Sequence, residues 1–130
     1  MAEVIVRDET MSGRAIESRV LPGLPDEISA RELVRLRVRE EVARFNAEAG
    51  EVFHGLVRPV GAEVTPAGFV VPGGRRLDWE AQADAACAAF ERNGFVMLAG
   101  DRQVDRLDEV IDLRQESTVA FIRLVALVGG

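Results

Sequence analysis

Apolar positions change their spacing several times along the chain, and each change marks an element. Val4-Ile5-Val6 is a short β-branched run, and Arg14 to Val20 alternates as a half-buried strand does. Between them, Thr10-Met11-Ser12-Gly13 has turn chemistry, so residues 4–20 are expected to form a β-hairpin. Pro22-Gly23-Leu24-Pro25 is expected to stop that sheet.

The period then lengthens to that of a helix. Ser29-Ala30-Arg31-Glu32 is a capping box, flanked by Ile28 and Leu33 as a hydrophobic staple. Ala30, Val34, Val38, Val42 and Phe45 continue at helical spacing and predict an apolar face to about Asn46. Arg31, Arg35, Arg39, Glu40 and Arg44 fill the remaining surface and read as a solvated face.

Residues 47–76 are irregular and rich in Gly and Pro. Glu63-Val64-Thr65 and Phe69-Val70-Val71 flank a Pro66-Ala67-Gly68 turn, a small hairpin. Gly73-Gly74-Arg75-Arg76 lacks the Lys and the glycine spacing of a phosphate loop. Asp78 caps a second predicted helix to Arg92, with Trp79, Ala83, Ala86 and Phe90 as its core stripe and Asn93-Gly94 as its stop. Phe95 to Leu98 reads as a buried strand ended by Gly100. Asp101 to Gln115 reads as a connection with apolar pegs, and Thr118 to about Val125 as the last strand. The long helix needs an apolar surface, and a mixed sheet of these strands supplies one, which predicts an α+β fold of two layers.

Composition narrows the class. The chain has 130 residues, 48% hydrophobic and 29% charged, which suits one soluble domain with a buried core. A net charge of −6 argues against a general nucleic-acid binder, which needs excess cations to displace counterions. The start MAEVIVRDET meets acidic residues at once, and no apolar run reaches membrane-spanning length, so a cytoplasmic protein with no membrane partner is expected. Cys87 is the one cysteine and reads as a small core residue. His54 has no second histidine or nearby cysteine, so no metal site is expected. All sixteen basic residues are arginine, and there is no lysine.

Three stretches carry a family likeness. Thr10 to Ile16 is similar to the first turn of ubiquitin, and Val96-Met97-Leu98-Ala99-Gly100-Asp101-Arg102-Gln103-Val104 to its central strand and following turn. Arg114-Gln115-Glu116-Ser117-Thr118 leads into an apolar strand that closes on Gly129-Gly130. The chain resembles ubiquitin and, more closely, bacterial ubiquitin-like proteins encoded beside ubiquitin-type activating and conjugating enzymes. The resemblance covers residues 1–46 and 95–130. It implies a ubiquitin-like β-grasp, a single domain over residues 1–130 with an insertion at 47–93 and a flexible tail at 126–130. Ala126 and Val128 stand where ubiquitin has basic residues, so a dedicated bacterial activating enzyme is expected.

By the same resemblance the chain is a protein modifier and not an enzyme. Gly130, with Gly129, presents the carboxylate for adenylation by an ATP-dependent activating enzyme, and Ala126, Leu127 and Val128 are the tail that enzyme reads. Two residues without Cβ can thread a narrow channel. The acyl-adenylate passes to a cysteine thiolate of a conjugating enzyme as a thioester and then to a target protein as an isopeptide bond. A deconjugating protease is a further expected partner, and no resident cofactor is expected. If Gly130 is the encoded end, no protease is needed to expose it. The family's apolar partner patch maps to Met11, Met97, Ala120 and Ile122, although Met97 also reads as core. Without lysine the chain cannot build lysine-linked polymers of itself, which favours single-copy tagging or linkage through Met1. Bacterial systems of this kind suggest antiviral defence. Two alternatives stand beside this reading: a sulfur carrier whose terminal carbonyl becomes a thiocarboxylate, and an interaction domain that is never conjugated.

Overall fold

A computed structural model describes residues 1–12 and 14–124. Gly13 of the first turn and the tail residues Ala126, Leu127, Val128, Gly129 and Gly130 lie outside the described residues. The protein is α+β, with a mixed sheet and two helices. In chain order the strands are β1 (Ala2–Glu9), β2 (Ala15–Leu24) and β3 (Glu27–Ser29), followed by helix α1 (Ala30–Ala47). Next come β4 (Val52–Phe53), β5 (Glu63–Thr65), β6 (Gly68–Val70) and helix α2 (Trp79–Glu91). The chain continues through β7 (Phe95–Ala99), β8 (Arg102–Val104), β9 (Val110–Asp112) and β10 (Thr118–Arg123). It divides into two compact units, one of Met1–Leu33 with the chain from Ala89 onward, the other of Val34–Ala88.

The first unit holds a five-stranded sheet in the order β2-β1-β10-β7-β8. β1 and β10 run parallel, from Ile5 beside Thr118 to Glu9 beside Ile122, and the other pairs are antiparallel. Val4, Val6, Met97, Ala99, Val119 and Phe121 are buried. The Phe90, Phe95 and Phe121 rings follow one another at 5.6 and 5.9 Å.

The expected hairpin forms, but its second strand does not stop at Pro22. β2 runs through Pro22 and Gly23 to Leu24. It is an edge strand, and an edge tolerates a proline because the missing amide need not cost a ladder bond. The register shifts between Ala2 and Val4, leaving an extra residue in β2, and Gly23 takes φ 74° there, as a bulge glycine does.

The stretch from Asp101 to Gln115 is more than a connection. It contains β8 and β9, and β9 pairs with β3 through Ile28 and Ile111. Three-residue strands are too short to display alternation, which is why the sequence hid them. Their loop also finishes α1: the Ala30 and Arg31 amides donate to the Glu109 and Leu107 carbonyls at 2.8 and 2.9 Å. The capping box is present, with the Glu32 amide 3.1 Å from Ser29 Oγ. At the end of α2, Asn93 adopts φ 62° while its amide reaches Phe90 O at 3.0 Å and the Gly94 amide reaches Ala89 O at 2.7 Å. That pair of bonds is a Schellman motif with asparagine in the left-handed position.

In the second unit, Val34, Val38, Val42 and Phe45 are buried as their spacing predicts. A small sheet of order β4-β6-β5 includes the expected hairpin, with Thr65 opposite Gly68. Phe45 meets Phe53 edge-on at 5.6 Å. Two polar features add to the sequence reading or depart from it. Arg37 is buried and paired with buried Glu41 at 3.0 Å, and Glu41 also accepts the Leu56 amide at 3.2 Å. Trp79 is half-buried, unlike Ala83, Ala86 and Phe90, and lies under the guanidiniums of Arg35 and Arg39 at 5.4 and 5.3 Å. Arg35 also meets Asp84 at 2.8 Å. The arginine face of α1 is thus partly engaged, although Arg31, Arg39 and Arg44 remain exposed.

Candidate functional site

β10 leads toward the glycine pair, and its surroundings define the candidate site. It lies in the middle of the five-stranded sheet, between β1 and β7. Its entrance is fixed by Arg102. The guanidinium grips Glu116 through two bonds, 2.8 and 3.1 Å, and Glu109 through a third at 2.9 Å. The bond to Glu116 leads the effects that raise the Arg102 pKa above its ordinary value. Desolvation works to raise the Glu109 carboxyl, but the Asp105 and Arg106 amides and the Arg102 guanidinium outweigh it and hold that group below its usual range. At the far end, the Leu124 amide donates to Gly94 O at 3.1 Å, and Arg123 lies 3.8 Å from Asp8.

The sheet does not bring the four expected patch residues together. Met11 is 54% exposed in the first turn and Ile122 is half-buried, but Met97 is wholly buried and Ala120 only 6% exposed. Strand alternation explains the difference. Met97 pairs with Phe121, and both are fully buried; Ala120 pairs with Leu98, and Ile122 with Val96. Successive side chains point to opposite faces, so Met97 and Ala120 lie on opposite sides of the sheet. Of the two readings of Met97, patch and core, the structure gives the core one.

The face that carries Ala120 and Ile122 has other members. Ile5, 39% exposed, pairs with Val20, 50% exposed; Arg7 pairs with Ala120, and Gln103 with Leu98. Val96 and Leu98 are half-buried there. A shallow open depression along it is lined by Ile5, Arg7, Ile16, Ser18 and Thr118. The sequence did carry the signal for these residues: with Phe95, Met97 and Ala99 pointing one way, Val96 and Leu98 must point the other.

The remaining candidate groups stay apart. His54 is exposed and Cys87 half-buried. Among the described residues no three His, Cys, Asp or Glu side chains gather as a metal site, and no helix is long and apolar enough to cross a membrane. Comparison with family models, with curated proteins and with solved structures gives no match.

Proposed function

We propose that this chain is a ubiquitin-like protein modifier with a β-grasp body. Gly130 is its acyl group, activated by an ATP-dependent adenylating enzyme, carried as a thioester and joined to target proteins in a bacterial conjugation pathway. The observation that carries this reading is the place of β10: the strand preceding the tail is central in the sheet and parallel to β1. The order β2-β1-β10-β7-β8, with a hairpin at the start and α1 after it, is the arrangement a β-grasp has, and it supports that assignment. A central strand lends the acyl group a rigid base, so an activating enzyme can grip the body and take Gly130 at a set reach. The chain acts as substrate and tag, and the nucleophiles belong to its enzymes. We place it in the cytoplasm, with Met11, Ile122 and the exposed Ile5 and Val20 as the partner-facing apolar surface.

The sequence supplies its own tracer. Trypsin cuts after Arg123 and nowhere beyond it, so a conjugated chain leaves Leu-Val-Ala-Leu-Val-Gly-Gly on its acceptor. Tagged at the N-terminus and expressed in its native cells, the chain is expected to form higher-mass species bearing that remnant, and deletion of Gly129-Gly130 is expected to abolish them. Adducts that persist after the deletion, or cells with none from the intact chain, would overturn the reading.

A further inference from the structure

One residue joins the end of α2 to the end of β10. The Gly94 amide donates to Ala89 O at 2.7 Å and closes the helix. The Gly94 carbonyl accepts the Leu124 amide at 3.1 Å, one rung beyond the pairing of Arg123 with Phe95. Leu124 is the last residue the structure describes, and the chain continues from it to Gly130. Asn93, one position before Gly94, takes φ 62° and turns the chain out of the helix toward β7. Side chains repeat the connection. Phe90 of α2, Phe95 of β7 and Phe121 of β10 form a row of buried rings. The junction has no room for another side chain, because a Cβ on Gly94 would lie 3.1 Å from Ala89 O.

We infer that the Asn93-Gly94 turn is a positioning device for the acyl group, an inference that rests on the conjugation reading above. The left-handed residue sets the direction of the Gly94 carbonyl, and that carbonyl decides whether Leu124 belongs to the sheet. With the bond made, the reach of Gly130 is measured from Leu124. With the bond broken, it is measured from a residue further back in β10. An activating enzyme that grips the body takes the carboxylate from a limited volume. A longer lead from the body lowers the effective concentration of Gly130 there. Asparagine suits the place because it enters the left-handed region at little cost, whereas a β-branched residue does not. Asn93 and Gly94 act through β10 and carry no part of the chemistry themselves.

Hydrogen exchange of the full chain, read residue by residue by NMR, tests the hold on Leu124. The Leu-Val-Ala-Leu-Val-Gly-Gly remnant in native cells tests its use. Asn93→Val puts a β-branched residue at positive φ. The Gly94 and Leu124 amides are then expected to exchange at least about fivefold faster, with the amides of β1 unchanged. At equal amounts of folded protein, the variant is expected to give remnant-bearing adducts reduced at least about threefold. Asn93→Gly keeps both readings at the parent's level, because glycine takes the same φ without strain. Leu124 exchanging at the parent's rate in Asn93→Val, equal acceleration in β1, or an Asn93→Gly variant as impaired as Asn93→Val overturns the inference. Faster Leu124 exchange with undiminished adducts removes the positioning role and leaves the conjugation reading standing. A parent chain that forms no adducts sinks that reading and the positioning role with it, and the exchange data still decide whether the turn holds Leu124. If Asn93→Val does not fold, Gly94→Ala takes its place. Its Cβ presses on Ala89 O and is expected to loosen the same two amides, and exchange at the parent's rate in that variant overturns the inference.

Discussion

Each of the two units of this protein is stabilised internally by different means. In Met1–Leu33 and the chain from Ala89, two hairpins are joined through β10 into a five-stranded sheet, and the buried side chains are almost all apolar. In Val34–Ala88, the strands are two or three residues long, and buried or half-buried polar side chains tie the chain to the helices. Glu41 accepts the Leu56 amide, Gln82 donates to Val57 O at 3.2 Å, and the Asn46 amide exchanges two 2.9 Å bonds with the Leu77 backbone. A sheet satisfies its backbone by its own ladders. An irregular segment must borrow partners from side chains, and these must be buried to reach it. The first unit is therefore sensitive to lost volume, and the second to lost hydrogen-bond partners.

Removing a carboxylate from the second unit gives the largest expected effect. Glu41→Ala removes the buried carboxylate that Arg37 and the Leu56 amide share, at a cost of about 3–5 kcal/mol in urea unfolding. Hydrogen exchange is expected to accelerate at Leu56 before β10; equal acceleration at both would erase the distinction between the units. In the first unit Met97→Ala opens a cavity, with an expected loss of about 3 kcal/mol, whereas Leu98→Ala, on the half-buried face, loses less. Equal losses at the two positions would contradict the assigned faces.

Gly74→Ala in the second unit comes next. Gly74 has φ 61°, and an added Cβ would lie 2.5 Å from the Gly50 carbonyl oxygen. The strain is expected to lower stability by about 1–2 kcal/mol, read as a reduced Tm.

The smallest effect concerns pH. Glu109 has a folded pKa below its unfolded one, so its contribution is complete above the unfolded value and disappears as pH falls through the folded value. Glu109→Gln is expected to flatten the acid limb of the stability profile by less than about 1 kcal/mol, since the group is partly solvated. A steeper limb in the variant would reverse the assigned direction.

The sequence displayed features whose signals are local. The Ser29–Glu32 box and the Asn93-Gly94 stop appear where their chemistry placed them, because a cap is decided by neighbours a few residues away. Pro22 misled because its tolerance depends on β2 being an edge, which is a property of the whole sheet. Arg37 and Glu41 carried no local signal of burial, because only the fold brings the Leu56 amide to Glu41. Met97 had two readings, patch and core, and the structure buries it; in a strand one residue is the whole difference between core and surface. The tail, which carries the proposed chemistry, lies outside the described residues, so its role rests on Gly129-Gly130 and the strand before them.

The parallel pairing of β1 with β10 has a consequence for synthesis. Ile5 and Thr118 are neighbours in space, yet nearly all the described chain separates them in sequence. Closing so long a loop is slow compared with forming either hairpin, so this contact falls late in folding. During synthesis the β1–β2 hairpin is complete long before β10 is made, and its inner edge waits unpaired, exposed to aggregation and to chaperones, until β10 joins it.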